Sequence, residues 1–389
     1  MRCFSYGTMM VLLLGCGVAE LAADETQLTR YGNAADRAAS DAVKVRGATL
    51  LHTDQIVPNA DAKTSFEQQT NSVLQKLRQL LDACELSTSD LVKLNIYLSD
   101  EQNREVCSKQ LLAWYDGDAR PAVSFVQTRL PNKHDQIGLD AVIAGESPKN
   151  GSTQETVHVR SLRPGDAVYV SGQAEPGDLQ NATRATLKSL IRTIGYFKLK
   201  RDHVVSLKCF LNPMTEAATV EREVKQLFQG VDMPVVSYVE WTASGTRPIE
   251  IEMIATAPST TAESSVTYFT PPEMKASPVY SRVARIHGDN RIYLSGFVSP
   301  NPGSGQQQTE AIFEQIIKTL KMSGSDLTHL AKATYYVSDD EASQKLNQLR
   351  PQYYDPKRPP AASKAMVTGV GHAGRQLSID LIAAPTTAP

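Results

Sequence analysis

The chain has 389 residues, of which 41% are hydrophobic and 21% are charged, and its formal net charge is −2 at pH 7. These proportions are typical of a soluble globular protein, and the length exceeds the roughly 250–300 residues at which a single core stops growing. The near-neutral charge gives no electrostatic basis for binding nucleic acid, which requires a basic face. Several cores and no nucleic-acid partner are therefore expected.

The first 23 residues have the layout of an export signal. Arg2 precedes a short apolar run at 9–19 that ends in small residues, and this run is too short to span a membrane. Gly17 and Ala19 offer a cleavage site for free secretion, whereas LLGC at 13–16 resembles a bacterial lipoprotein motif with Cys16 as the lipidated residue. Both interpretations predict a periplasmic or otherwise exported protein, and only the second adds a membrane contact, through the lipid.

Three long stretches then follow the same order of predicted elements. An apolar strand comes first, at 48–55, 167–173 and 291–296; the second and third copies end in Ser-Gly, and the first has Thr-Asp at 53–54. An amphipathic helix follows, with apolar residues at helical spacing within 73–81, 187–194 and 312–320. An alternating strand and a shorter helix come next. Residues 24–45, ahead of the first strand, are interpreted as a tether or an atypical first strand.

Two closing strands carry the repeat most plainly. PAVS (121–124) and IGLDAVIA (137–144) return as PVVS (234–237) and IEIEMIA (249–255), and again as PAAS (360–363) and LSIDLIA (377–383). This period is too long for a solenoid repeat and matches a complete small domain. Polar connectors at 145–153 and 256–265 separate the copies, so the predicted units are 24–145, 155–257 and 266–385. Each is expected to be an α+β layer with helices on one face of a sheet.

This order of motifs resembles the Rid/YjgF superfamily of reactive-intermediate imine/enamine deaminases, three times over between residues 45 and 385. The resemblance implies chorismate-mutase-like α+β units. Members of that family form homotrimers whose ligand clefts lie between neighbouring subunits. Three fused units would therefore form an intramolecular pseudo-trimer, monomeric as a molecule, with three non-identical clefts for a small-molecule ligand.

The resemblance also implies site residues. Deaminating members hydrolyse imines and enamines to keto acids and ammonia, and they use a carboxylate on the last strand to position water. The corresponding candidate catalytic residues here are Asp140, Glu252 and Asp380. The candidate ligand-binding residues are the Ser-Gly pairs Ser171-Gly172 and Ser295-Gly296. They also include the residues that stand after Pro-Ala, where the family has a carboxylate-binding arginine: Val123, Val236 and Ala362.

The missing arginine leaves two functions open. A charged hydrogen-bonded contact contributes about 1.5–3 kcal/mol, so its loss weakens carboxylate binding by about ten- to a hundredfold. A neutral or differently oriented ligand is therefore expected, unless a neighbouring arginine reaches the cleft. One function is an imine/enamine deaminase with a rebuilt pocket. The other is a non-catalytic ligand-binding or scaffold protein, in which the three acids are simply solvated carboxylates near the unit interfaces.

Neither a cofactor nor a metal is expected. The histidines and the cysteines lack the spacings of metal-binding motifs, and three cysteines outside the signal cannot all pair. GVGHAG at 369–374 matches a dinucleotide-binding pattern, but no helix is predicted after it. Without a helix N-terminus the pattern has no phosphate site, so this segment is predicted to be a loop between two strands.

Overall fold

The computed structural model describes residues 27–147, 157–242 and 246–387. The predicted export signal, Cys16 included, lies outside these residues. No helix within them is both long enough and apolar enough to cross a bilayer.

Each of the three repeat units contains two α-helices among its described residues. The first contains β1 (Gln27–Tyr31), β2 (Ala42–Arg46), β3 (Leu50–Thr53), α1 (Phe66–Ala83), β4 (Leu91–Leu98), α2 (Arg104–Trp114), β5 (Ala122–Gln127) and β6 (Ile137–Ala144). The second contains β7 (Val159–Leu162), β8 (Asp166–Gln173), α3 (Leu179–Gly195), β9 (Val204–Leu211), α4 (Ala217–Leu227), β10 (Val235–Glu240) and β11 (Ile249–Ala257). The third contains β12 (Val266–Phe269), β13 (Val283–Ile286), β14 (Arg291–Leu294), β15 (Phe297–Val298), α5 (Gly305–Ser323), β16 (Leu330–Val337), α6 (Asp340–Leu349), β17 (Ala361–Met366) and β18 (Leu377–Ala383). The predicted order of strand, helix, strand, helix and two closing strands is confirmed in all three units.

A capping side chain begins each long helix. Ser65, Asp178 and Ser304 each accept a hydrogen bond from the backbone N–H three residues later, which satisfies one of the free donors at the helix start. The predicted apolar stripes then turn inward, and residues such as Leu77 and Leu190 are fully buried. Each long helix therefore packs one face against its own sheet.

The units exchange their first strands. β7, which opens the second unit, pairs with β3 of the first unit, and β13 of the third unit pairs with β8 of the second. β2, at the beginning of the chain, pairs with β14 of the third unit. The strand orders are β5-β4-β6-β3-β7, β10-β9-β11-β8-β13-β12 and β1-β2-β14-β18-β16-β17. Residues 27–46 thus contain two strands, β1 and β2, joined by a loop, and these strands extend the sheet of the last unit, so the segment is not a tether.

Apolar residues form two kinds of core. Three cores lie between a sheet and its two helices, one in each unit. A further core contains strand residues from all three units, among them Val92, Val205 and Ala331, and another such core contains Tyr97, Phe210 and Tyr336. The helices therefore cover one face of each sheet, as predicted, and the opposite faces of the three sheets meet one another.

Candidate functional site

Three clefts lie where the strand after Pro-x-x of one unit faces the first long strand of the preceding unit. We name them by the units that form them: cleft 1–2 at Val236, cleft 2–3 at Ala362 and cleft 3–1 at Val123. A backbone N–H donates a hydrogen bond across each of them. Gln55 N donates to Val236 O over 3.0 Å, Gly172 N donates to Ser363 Oγ over 3.0 Å, and Gly296 N donates to Val123 O over 3.0 Å.

These contacts correct the alignment of the first unit. Val236 N donates to Asp54 Oδ1 over 2.7 Å, in the way that Val123 N donates to Ser295 Oγ over 2.8 Å. The residues equivalent to Ser-Gly in the first unit are therefore 54–55, one position later than the sequence suggested. Asp54 takes the place of the serine.

Cleft 2–3 contains the predicted Gly172 together with a carboxylate that the sequence analysis did not select. The cavity has a volume of about 360 Å³ and is lined by Gly172, Ala174, Glu250, Tyr280, Arg282, Arg350, Ala362, Ser363 and Lys364. A Cβ atom on Gly172 would lie 1.9 Å from Glu250 Oε1, so only glycine allows this carboxylate to lie against the strand. The predicted Ser171 is buried next to Gly172.

Three cationic side chains, those of Arg282, Arg350 and Lys364, line the same cavity as Glu250. Arg282 lies over the ring of Tyr280, and Arg350 lies over the ring of Tyr335. The Nε atoms of both arginines are buried and have no hydrogen-bond partner among the described residues. Lys364 donates to Ser343 Oγ over 2.9 Å, at the edge of the same cavity. With one carboxylate and three cations, this cleft favours an anionic ligand.

Glu250 has a strongly shifted pKa. Burial, with a further contribution from the charge of Glu252, raises the pKa of Glu250 to about 7, and Ser363 and Arg282 only partly oppose this shift. A carboxyl group with such a pKa can both donate and accept a proton at neutral pH, which is the requirement for general acid–base catalysis. Burial likewise lowers the pKa of Lys364, and the nearby Arg350 adds to that effect.

Cleft 3–1 is filled by the loop that carries the GVGHAG pattern. Residues 369–374 connect β17 to β18, as predicted, and Gln127 N donates to Gly369 O over 2.9 Å. A Cβ atom on Gly371 would lie 2.5 Å from Cβ of Phe125, and His372 packs edge-on against the same ring. At the other end, a Cβ atom on the predicted Gly296 would lie 2.8 Å from Ser124 Oγ. Ser295-Gly296 and Val123 therefore pack against each other rather than line an open cavity.

The candidate catalytic acids lie together at a different place. Asp140, Glu252 and Asp380 are 8%, 3% and 7% exposed, so they are not the solvated carboxylates of the alternative interpretation. They line a chamber of about 60 Å³ between the three sheets, which we call the central chamber. Each unit also contributes one lysine to its lining: Lys93, Lys208 and Lys332. Three positive and three negative side chains thus share one small buried space.

Two ion pairs of the central chamber join different units. Lys93 Nζ lies 2.8 Å from Asp380 Oδ1, and Lys332 Nζ lies 2.7 Å from Glu252 Oε1. Burial alone would raise the pKa of Asp380, but Lys93 and the other two lysines hold it below its ordinary value.

The third acid of the chamber has neutral partners. Asn95 Nδ2 donates to Asp140 Oδ1 over 2.7 Å, and Tyr97 Oη donates to the other oxygen of the same carboxylate. Lys208 donates to Tyr336 Oη over 3.3 Å. Burial alone would lower the pKa of Lys208, but the surrounding tyrosines and carboxylates, Asp140 among them, raise it well above its ordinary value. Two of the three acids are therefore paired with lysines, the third accepts hydrogen bonds from neutral groups, and all three are buried in the central chamber.

Comparison with known proteins identifies the repeated unit. A family model described as Endoribonuclease L-PSP matches the chain three times, over residues 31–144, 152–257 and 271–385. The chain belongs to this family. It is the Rid/YjgF family, so the predicted family and its three tandem copies are confirmed.

Three solved structures each align with part of this chain, and the first two are members of the YjgF family. One from Neisseria meningitidis is 25% identical, with 32% of this chain and 97% of that chain covered and a TM-score of 0.25. One from Mycobacterium tuberculosis is 23% identical, with 31% and 99% covered and a TM-score of 0.23. TdcF of E. coli, solved with bound serine, is 24% identical, with 23% and 80% covered and a TM-score of 0.23. A search of curated proteins finds no match.

No metal centre is evident in the described part of this Rid/YjgF chain. None of its His, Cys, Asp and Glu side chains forms a group of three or more that could hold a metal ion. Cys84, Cys107 and Cys209 are free thiols, and the last two are buried. Arg120 and Arg358, which stand next to the Pro-x-x motifs, donate to backbone carbonyls and do not line clefts 1–2 or 2–3.

Proposed function

We propose that this protein binds a small anionic metabolite in cleft 2–3 and hydrolyses an imine or enamine there, with Glu250 as the general acid and base. The observation that carries this proposal is a carboxyl group with a pKa of about 7 in a cavity that also contains three cationic side chains. Perturbed titratable groups in clefts are candidates for acid–base catalysis.

The reaction needs two proton transfers that one such group can perform. Protonated Glu250 donates its proton to the nucleophilic carbon of an enamine, which gives an iminium ion. The resulting carboxylate then accepts a proton from the water that adds to the iminium carbon. When this adduct collapses, its hydroxyl proton passes to the nitrogen, ammonia leaves and the keto product remains. An imine substrate is first protonated on its nitrogen by Glu250, which gives the iminium ion, and then follows the same second step.

The cations of cleft 2–3 compensate for an arginine that is missing from this chain, the one that the family pattern places after Pro-Ala. We propose that Arg282 and Arg350 supply the charge that Ala362 cannot, so the substrate anion is held from a different direction. The sequence left a neutral or a differently oriented ligand open, and these cations favour the second. Cleft 1–2 has Val236 in place of Ala362 and Gly138 in place of Glu250. Cleft 3–1 has Val123 and Ser378 at these two positions.

The catalytic role of Asp140, Glu252 and Asp380 stays a prediction, and their contacts support another role. We propose that the ion pairs of the central chamber help to hold the units as an intramolecular pseudo-trimer. A buried ion pair contributes little net stability when both partners are well placed, but the loss of one partner is costly. Such pairs therefore favour one arrangement of the units over others.

The test is an ammonia-release assay on the purified protein. Imino acids generated in situ and neutral imines are supplied to the wild type, to Glu250→Gln and to Glu105→Gln, which removes an exposed carboxylate on α2 in the first unit. A deaminase should release ammonia from the imino acids faster than the buffer does. Glu250→Gln should abolish this excess, whereas Glu105→Gln should retain it.

The triple variant Asp140/Glu252/Asp380→Asn separates the two catalytic assignments. If it folds and Glu250→Gln retains activity while the triple variant loses it, the chemistry belongs to the central chamber. If the wild type hydrolyses no imine, the hydrolase proposal is wrong. The non-catalytic ligand-binding protein then becomes the better interpretation, and calorimetry with simple carboxylates, compared between the wild type and Arg282→Gln, tests it.

Export is a separate proposal that rests on the sequence alone. We propose that the protein leaves the cytoplasm, either as a freely secreted protein or with a lipid on Cys16. Mass spectrometry of the mature N-terminus distinguishes the two, because lipidation leaves an acylated Cys16 at the first position, whereas free secretion leaves an unmodified residue after Ala19.

A further inference from the structure

Cleft 1–2 is larger than cleft 2–3 and has a mostly apolar wall. Its volume is about 630 Å³, within the range of small-molecule sites. The apolar lining comes from both units: Val57, Pro131, Val224, Met233, Pro234, Val236 and Tyr238. Such a wall would contact an aliphatic or aromatic group of a ligand and remove it from water.

Asp54 provides a fixed carboxylate at one side of this cavity. Its backbone N–H donates to His158 O over 3.0 Å, and its Oδ1 accepts from Val236 N over 2.7 Å. Among the described residues, no Lys, Arg or His nitrogen forms an ion pair with this carboxylate, and no hydrogen bond is made to Oδ2. Burial raises the pKa of Asp54, and Val236 N–H and the neighbouring cationic groups only partly offset this shift. The carboxylate is therefore held in place without a counter-ion.

The other charged groups of the cavity do not neutralise Asp54. Glu221 and Lys225 lie one turn apart on α4 and pair with each other over 2.5 Å. His158 Nε2 lies 3.1 Å from Met233 O, which accepts from it, so this nitrogen carries a hydrogen and is not free to bind Asp54. Tyr238, the remaining titratable group, has its pKa raised by burial and stays a neutral phenol. The charged side chains of the lining are thus two carboxylates, Asp54 and Glu221, and one ammonium group, Lys225, which is already paired with Glu221.

We propose that cleft 1–2 is a second ligand site, which binds an organic cation: a protonated amine with an apolar body. Its ammonium group would lie against Asp54 and its hydrocarbon part against the valines and Met233. This site is independent of the reaction proposed for cleft 2–3, because the two cavities share no lining residue. An anion is disfavoured here, since no unpaired arginine or lysine of the cavity is available to receive it.

Calorimetric titration with three compounds of similar shape tests the proposal. 2-Phenylethylamine is the cationic probe, 2-phenylethanol is the neutral one and 3-phenylpropanoate is the anionic one, all at mildly alkaline pH so that Asp54 is ionised. The amine should bind the wild type, and the alcohol and the acid should bind at least about tenfold more weakly, because the alcohol carries no positive charge to pair with the carboxylate and the acid is repelled by it.

Two variants locate the binding. Asp54→Asn keeps an oxygen that accepts from Val236 N and removes the charge, so its fold should persist, which circular dichroism and thermal unfolding check. Asp36→Asn removes an exposed carboxylate outside the cleft and serves as the matched control. Amine affinity should fall by about ten- to a hundredfold in Asp54→Asn and stay unchanged in Asp36→Asn.

Three results would overturn the proposal. They are an amine that does not bind the wild type, an amine that binds Asp54→Asn as tightly as the wild type, and an alcohol or acid that binds as tightly as the amine. The failure of the hydrolase proposal is a separate result, because ammonia release depends on Glu250 and amine binding does not. Glu250→Gln should therefore bind the amine with unchanged affinity.

Discussion

Cleft 1–2 and cleft 2–3 occupy equivalent places in the repeat and differ in charge. The backbone N–H of Asp54 donates to His158 O in one, and the backbone N–H of Ser171 donates to Arg282 O in the other. The aspartate thus replaces a serine, and a histidine replaces an arginine. The same strands therefore present a carboxylate without a counter-ion in one cleft and three cationic side chains in the next. The comparison shows that the fold supplies the cavity and that side chains of single units decide what it binds.

The largest expected effect is the loss of catalysis in cleft 2–3 without a change of binding in cleft 1–2. In Glu250→Gln, kcat/KM for imine hydrolysis should fall by about a hundred- to ten-thousandfold, which is the range that general acid–base groups contribute. Binding of 2-phenylethylamine in cleft 1–2 should not change. Parallel kinetics and calorimetry on one preparation check both statements. A loss of both functions would mean that the substitution disturbs the fold, and the two clefts would then not be independent.

A change in the central chamber should instead lower the stability of the whole molecule, on which both clefts depend. Lys93→Met leaves the buried carboxylate of Asp380 without its partner and should lower the free energy of unfolding by about 3–5 kcal/mol. The double variant Lys93→Met/Asp380→Leu should recover much of that loss, because no unpaired charge remains. Denaturant titration measures both. Arg37→Met, which breaks an exposed pair with Asp41, should cost no more than about 1 kcal/mol.

An arginine in cleft 1–2 should remove the difference between the clefts. In Val236→Arg the new guanidinium lies beside Asp54 and pairs with it, so the affinity for 2-phenylethylamine should fall by about ten- to a hundredfold. Calorimetry with the amine and with 3-phenylpropanoate follows the change. Val236→Met adds bulk without charge and is the control. An equal loss in the methionine variant would attribute the effect to size and contradict the role of charge.

The smallest expected effect is on the pH dependence of stability. Because the pKa of Glu250 is raised to about 7, the folded state binds more protons than the unfolded state between the ordinary pKa of 4.5 and about 7. Stability is therefore lost as pH rises through this range. Glu250→Gln should abolish this loss, so above neutral pH the variant should gain about 1–2 kcal/mol relative to the wild type, after allowance for solvent screening. Unfolding measured at pH 5 and at pH 8 tests the sign, and an equal difference at both would contradict the raised pKa.

Much of the fold could be predicted from the sequence because the same order of strand and helix patterns occurs three times. Helical spacing located α1, α3 and α5, and the order of motifs identified the family. The strand exchange could not be predicted, since β7 has the same local pattern whether it pairs with β8 or with β3. The first unit was also aligned one residue early, because nothing in the letters marks Asp54 as the counterpart of a serine.

The candidate site was harder to predict, because recurrence is a poor guide to chemistry in a repeat. The acids that recur in all three units, such as Asp140, lie in the central chamber, where each unit contributes to the same buried network. Glu250 is present in only one unit, with Gly138 and Ser378 at the equivalent positions. A search for unit-specific polar residues on the closing strands would have found it. The cations of cleft 2–3 come from elements distant in sequence, and only the structure brings them together.

The pairing of β2 with β14 also means that the sheet of the third unit cannot be completed until late in the synthesis of the chain. Ser295 Oγ donates to Ser40 O across 255 positions, so β2, although it pairs with β1, lacks its second neighbour until β14 of the third unit is made. Domains that emerge early generally fold as units, but the sheet edge formed by β1 and β2 must stay open throughout synthesis. Open strand edges pair readily with other chains. The first twenty described residues are therefore the part of the nascent protein in greatest need of protection until its last unit emerges.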